Sequence, residues 1–181
     1  MFGVMKPSSD GQLIAAAYNS NFIELYKFNN LNGKLTHSIR IPVSNPFGVE
    51  FSNNSKLLYV SSDTFGFAQQ RRILQFDISN YDFIQIINSQ KVVSIKSNNF
   101  GSAGHIQMGP DGHLYIANSS SKNLDVILKP NLLDSLCEYK DSLISLGNRQ
   151  IFKSLPYAHP FYSQHPTSKS LPTQLPQIAE Q

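Results

Sequence analysis

The stretch His105-Ile-Gln-Met-Gly-Pro-Asp-Gly-His-Leu-Tyr-Ile-Ala117 decides how the chain is read. A short apolar run meets Asp111-Gly112 and is followed by a second apolar run. Asp nucleates a turn by bonding its own backbone, and Gly supplies positive φ, so the segment predicts a tight β-hairpin. The same pattern occurs at Gly3-Val-Met-Lys-Pro-Ser-Ser-Asp-Gly-Gln-Leu-Ile-Ala15 and at Gly48-Val-Glu-Phe-Ser-Asn-Asn-Ser-Lys-Leu-Leu-Tyr-Val60. The matched turn residues are Asp10, Asn54 and Asp111, then Gly11, Ser55 and Gly112, with apolar anchors Leu13, Leu57 and Leu114. Ser55 reaches positive φ less readily than Gly, so Asn54 is expected to take the left-handed position there.

Asp10, Asn54 and Asp111 are spaced 44 and then 57 residues apart. Repeats of about 40–50 residues are the period of propeller blades. The longer second spacing calls for an insertion, placed at Asp63–Arg72. Each copy continues into a third strand, at Ile23–Phe28, Ile73–Ile78 and Leu124–Leu128, where apolar and polar residues alternate. Fourth strands are predicted at Leu35–Val43, Phe83–Ile95 and Ser142–Leu146. Pro130–Lys140 lacks a sustained helical period and reads as a loop. The fold class is therefore all-β: a partial β-propeller of about three four-stranded antiparallel blades. The blades are assigned to residues 1–44, 45–100 and 101–156. Five prolines from Pro156 to Pro176 mark residues 157–181 as a disordered Pro-rich tail.

Composition excludes several classes. The net charge is +3 and the one basic doublet is Arg71-Arg72, too sparse for a nucleic-acid footprint. Tyr and Phe number 8 and 12, which suits strands. Cys137 is the only cysteine, so no internal disulfide can form. No apolar run is long enough to span a bilayer, and no signal peptide is visible at the N-terminus.

Candidate sites are few, and no catalytic, cofactor-binding or metal-binding constellation stands out. None of His37, His105, His113, His159 and His165 has ligand-like spacing. His105 and His113 bracket a turn and could meet across a hairpin. Asp10-Gly11 and Asp111-Gly112 lack the calcium-loop pattern, so turn chemistry accounts for them. Gly101-Ser-Ala-Gly104 precedes a strand rather than a helix and reads as an inter-blade turn, not a phosphate cradle. Cys137 reads as a buried structural thiol. A hydrolase site would have to gather Glu50, His105 and Arg71.

The chain resembles the β-propeller domains of large Bacteroidetes cell-surface proteins, often attached to gliding-motility or type IX secretion sorting domains. The likeness is carried by Asn45-Pro-Phe-Gly-Val-Glu-Phe-Ser52, Lys56-Leu-Leu-Tyr-Val-Ser61 and Ile73-Leu-Gln-Phe-Asp-Ile-Ser79. It continues in the 105–117 stretch, Lys129-Pro-Asn131, Cys137-Glu-Tyr139, Ser145-Leu-Gly-Asn-Arg149 and Leu155-Pro156. More distantly the blades are similar to seven-bladed YVTN and lactonase propellers. With no catalytic constellation in the sequence, the expected function is a non-catalytic binding or scaffold module, part of a larger propeller, and the alternative is a lactonase-like hydrolase fragment; the resemblance implies a cell-surface setting with protein or glycan partners. No cofactor, nucleic acid or membrane insertion is expected. A three-bladed arc leaves two blade faces bare, which predicts self-association, a missing partner segment or low stability.

Overall fold

A computed structural model describes residues 4–18, 21–64, 70–97, 102–152 and 154–155. These form three four-stranded antiparallel sheets, each running up and down in chain order. The first holds β1 (Met5–Pro7), β2 (Leu13–Ala17), β3 (Phe22–Asn29) and β4 (Lys34–Pro42). The second holds β5 (Pro46–Phe51), β6 (Leu57–Asp63), β7 (Gln70–Asp77) and β8 (Lys91–Ser97). The third holds β9 (Ile106–Met108), β10 (Leu114–Ala117), β11 (Asn123–Ile127) and β12 (Tyr139–Ser145). The first strand of each sheet is innermost, and β5 lies against both β1 and β9. The chain is an arc of a β-propeller. The tail assigned to residues 157–181 lies outside the described residues.

Strand periodicity dictates the packing. Alternate residues point to opposite faces, so each blade offers one apolar set backward and another forward. Ala15, Leu25 and Ile41 of the first blade meet Val49, Leu58, Leu74 and Phe76 of the second. Leu57, Tyr59 and Ile73 on the other face of the second blade meet Ile106, Leu114, Ile116 and Ile127 of the third.

Several expectations need correction. Phe83–Ile95 is not one strand: Phe83–Asn88 form a helix, α1, and the strand begins only at Lys91. Asp82 caps the helix, its Oδ1 accepting the Gln85 N–H at 2.9 Å, and Ile86 is fully buried in the core between the first two blades. The insertion also moves. The link between β6 and β7 spans 64–69, little longer than 18–21 in the first blade, whereas the link between β7 and β8 spans 78–90 against 30–33. Most of the extra length is therefore the α1 segment.

The third correction concerns Ser55, which itself takes φ +58°, while Asn54 plays the part of Asp10. Asn54 Oδ1 accepts from Ser52 Oγ at 2.7 Å and from Lys56 N at 3.2 Å, and Ser55 N donates to Ser52 O. The fourth is the register of the third repeat. Leu114 lies opposite Met108 where Leu58 lies opposite Phe51 and Ile14 opposite Pro7, so the third hairpin is one residue shorter than the alignment of Leu13, Leu57 and Leu114 implies. Ser8 and Ser52 use their Oγ to accept the N–H of Leu13 and Leu57, each at 2.9 Å. Gly109 has no hydroxyl; its N–H donates to His113 O, as the N–H groups of Ser8 and Ser52 donate to Leu13 O and Leu57 O.

The α1 segment fastens the second blade to the first. The Tyr81 hydroxyl donates to Leu25 O at 2.7 Å and also meets His37 O, entering the bulge where the β3–β4 register shifts between Leu25 and Lys27. Tyr81→Phe is expected to lower stability by about 1–2 kcal/mol, because the carbonyl of the fully buried Leu25 loses a donor. Urea denaturation of the two proteins checks this; an unchanged midpoint would mean that water replaces the hydroxyl without cost. The segment read as a loop at Pro130–Lys140 holds a 3-10 turn at Asp134–Cys137, and β12 starts at Tyr139 rather than Ser142.

Candidate functional site

The three innermost strands bring one residue of each blade to the same register. Lys6 lies opposite Ala15, Glu50 opposite Tyr59 and Gln107 opposite Tyr115. Lys6 Nζ sits 3.0 Å from Glu50 Oε2, with both side chains less than a tenth exposed. Glu50 also accepts the N–H of Met108 at 3.2 Å and of Phe51 at 3.1 Å. Burial pushes the Glu50 carboxyl above the usual range, against the opposing pull of Lys6 and the two N–H groups. Gln107, 5% exposed, ends the series with Oε1 buried and without a hydrogen-bond partner.

His105 precedes β9 and is half-buried. Burial, and then the charge of Lys6, lower its pKa, while a hydrogen bond to the Leu155 backbone works the other way; its Nδ1 is buried and unpartnered. A histidine held neutral in the fold but free to protonate when unfolded stabilises the fold above the unfolded pKa of about 6.5. That contribution is lost as pH falls toward the lower folded pKa. Wild type is therefore expected to lose stability from pH 7 to pH 5, and His105→Gln to lose less over the same range. Denaturation midpoints at the two pH values check this, and equal slopes would remove His105 as the titrating group.

The structure does not bring Arg71 to Glu50. Arg71 sits on β7, two strands out from β5, with Asp63 and Lys96 as its cross-strand neighbours. Its Nε and Nη1 are buried without hydrogen-bond partners. Asp63 instead accepts the Ala103 N–H with both oxygens, at 2.9 and 3.0 Å. Next to it Gly104 O accepts from Ser61 Oγ at 2.6 Å, so the described part of the 101–104 stretch is an inter-blade contact.

His105 and His113 do not meet. Ala117 N donates to His105 O at one end of the β9–β10 hairpin, while His113 sits at the turn end. There His113 Nδ1 lies 3.0 Å from Asp111 Oδ2, which also accepts from the Tyr115 hydroxyl at 2.5 Å. Burial raises the Asp111 pKa, but the bonds from Tyr115 and His113 outweigh it and leave a net lowering. Cys137 is fully buried between the second and third blades, and burial pushes its thiol up, away from nucleophilic chemistry. Among the described residues no group of three His, Cys, Asp or Glu could hold a metal ion.

The turns of successive blades bond to one another and make a continuous rim. Asp10 N donates to Ser55 Oγ, Asn53 Nδ2 to Gly112 O, and Asn54 N to Asn131 Oδ1, each at 3.1 Å. Between the first two turns lies a groove of about 470 Å³, lined among others by Asp10, Gln12, Lys27, Asn54, Lys56 and Tyr81.

Two buried polar hubs escaped the reading of the sequence. Asp125, 2% exposed, accepts from Lys96 Nζ at 2.9 and 2.8 Å, Asn118 Nδ2 at 2.6 Å, the Tyr139 hydroxyl at 2.7 Å and Ser142 N at 2.9 Å. Gln75, fully buried, donates to the Tyr59 hydroxyl at 2.6 Å and Leu132 O at 2.8 Å and accepts from Asp134 N at 2.8 Å. The signal for Asp125 was present: an acid inside the apolar run Leu124–Leu128.

No protein-family model matches the chain, and no curated protein matches it. Among solved structures it is similar to a candidate 6-phosphogluconolactonase from Bacteroides uniformis ATCC 8492, at 18% identity and a TM-score of 0.46, over 67% of this chain and 35% of that one. A second such protein, from Bacteroides fragilis NCTC 9343, is 17% identical with a TM-score of 0.45, over 68% of this chain and 36% of that one. The β-propeller domain of Swd1 from Myceliophteria thermophila is 11% identical with a TM-score of 0.47, over 83% of this chain and 44% of that one. The chain thus spans just over a third of the length of the two Bacteroides proteins.

Proposed function

We propose that the chain is a non-catalytic binding or scaffold module, one arc of a larger propeller, whose partners dock on the rim of blade turns. The supporting observation is where its buried polar groups are engaged. Lys6, Glu50, Asp63 and Asp125 all bond across blade seams, so their chemistry holds blades together. The exposed polar groups of the turns instead form a rim held in place by the hydrogen bonds between blades, which is how rigid scaffolds present binding loops. Lys27, Lys56, Gln12 and Asp10 around the groove suit an acidic peptide or a hydroxyl-rich glycan. The immobilised chain should be screened against glycan and acidic-peptide panels, beside a Lys27→Ala, Lys56→Ala variant. Binding that falls about tenfold or more in the variant supports the rim; equal binding, or none, overturns it. The cell-surface setting rests on the resemblance to Bacteroidetes surface proteins and is tested by protease accessibility of the parent protein on intact cells.

A second reading, a lactonase-like hydrolase fragment, is favoured by one observation: the buried, unpartnered Nδ1 of a neutral His105 beside Lys6. Hydrolysis of a sugar lactone that is abolished in His105→Gln would establish it, and turnover no faster than buffer would end it.

A further inference from the structure

The forward face of the third blade carries no further sheet among the described residues, and it is built differently from the two seams. The register that pairs Glu50 with Tyr59 pairs Gln107 with Tyr115. At the seam both residues of the second blade cross to the third: the Tyr59 hydroxyl donates to Pro130 O at 3.0 Å, and Glu50 accepts the Met108 N–H at 3.2 Å. On the third blade the Tyr115 hydroxyl turns back instead, to Asp111 in its own hairpin. Gln107 replaces the carboxylate with a neutral amide whose Oε1 is buried and unmet.

These changes shape a mainly apolar groove of about 380 Å³. Small-molecule sites span about 300–1,000 Å³ and combine apolar walls with a few placed polar groups. Tyr115 makes one wall. Its ring lies against Gly109, where a Cβ would overlap it, and the bond to Asp111 holds the hydroxyl end in place. Leu124 and Leu155 supply aliphatic surface, and Leu155 is tied down by a hydrogen bond between its backbone and His105. Gln107, 5% exposed, brings its amide to the same groove.

The lining sets the chemistry of the occupant. Among the described residues Asp111 is the one charged group that lines the groove, and its carboxylate already meets Tyr115 and His113. An ion would find no counter-charge there. A buried acceptor without a donor is unfavourable, and an N–H or O–H delivered to Gln107 removes that cost. A second copy of the chain is a poor source of one. Its first blade would bring Pro7, which has no N–H, to the position that Met108 takes at the seam.

We propose that this groove binds a small neutral molecule with a flat apolar body and one N–H or O–H that donates to Gln107. The site is separate from the rim of turns and does not depend on it. Indole and 1-methylindole are the probes, since they share a ring system and only the first has an N–H. The chain contains no Trp, so indole fluorescence is read without a protein background. On the full chain indole should bind more tightly than 1-methylindole by about tenfold or more. It should also shift the amide resonances of Gln107, Tyr115 and Leu124. In Gln107→Met, which keeps the shape but removes the acceptor, indole should fall to the affinity of 1-methylindole. Three results on wild type overturn the proposal: equal affinities, no saturation by indole at about 1 mM, or shifts confined to the groove between the first two turns. That comparison stands even if the variant does not fold. Indole binding that disappears as light scattering shows the mass doubling would assign the face to a second copy, and overturns the proposal equally.

Discussion

Gly48→Ala is expected to lower stability by about 2–3 kcal/mol, one of the two largest effects in this chain. A Cβ at Gly48 would lie 2.7 Å from Gly104 O, 2.8 Å from Ser61 Oγ and 3.0 Å from Ile106 N. Two of those atoms are backbone of the third blade, and Ser61 is held by its own bond to Gly104, so nothing at the contact is a flexible end. The Gly48 N–H also donates to Ser61 Oγ at 2.9 Å, and forcing the strands apart strains that bond as well. The φ of Gly48 lies outside the left-handed region, so the cost is steric rather than conformational. In a chain of 181 residues the loss converts to a fall in Tm of roughly 5–10 °C. Gly33 makes the comparison: it has open space but φ +71°, and Gly33→Ala should cost only about 1 kcal/mol. If the two variants melt together, the seam between β5 and β9 is not close-packed.

That contact shows what a sequence can and cannot carry. The Asp-Gly turns and the alternation of Ile23–Phe28 are local, and local chemistry placed nearly every strand in the right sheet. The register slip at Leu114 was not local in this sense. It accompanies the replacement of Ser8 and Ser52, whose hydroxyls accept from Leu13 and Leu57, by Gly109, a difference that has meaning only when the three hairpins are set side by side. The helix at Phe83–Asn88 was hidden for a related reason: six residues are too few to display a 3.6-residue period, and Asp82 was a cap signal overlooked in an apolar stretch. Of the trio Glu50, His105 and Arg71, the sequence had no means of telling that Glu50 and His105 lie on or beside inner strands near Lys6 while Arg71 lies two strands out. Seams between blades join residues some 40–60 positions apart, as in Lys6–Glu50 and Glu50–Met108, and nothing in a single repeat announces its partner in the next.

The seam between the second and third blades is expected to respond most strongly at Asp125. Asp125→Ala removes an acceptor bonded by Lys96, Asn118, Tyr139 and Ser142, and leaves those donors in a site where water enters poorly. Breaking such a buried arrangement from one side costs about 3–5 kcal/mol. Lys96→Met should cost less, about 1–2 kcal/mol, because Asp125 keeps its three other donors. Asp141, 2.5 Å from Lys96 Nζ, is exposed to solvent and tolerates the loss of its partner. The double variant should then be more stable than the sum of the two losses by at least about 1 kcal/mol, since with Asp125 gone the ammonium has lost its buried counter-charge and its removal is no longer a penalty. Urea denaturation of the four proteins measures the coupling. A strictly additive result would mean that Lys96 is held by Asp141 alone and that Asp125 serves only its own blade. A clear coupling would place an ion pair at each of the two seams, Lys6–Glu50 inside and Lys96–Asp125 outside. Blade order would then be set by matched charges as well as by apolar fit, because a blade lacking the lysine could not precede one that carries the acid without stranding it.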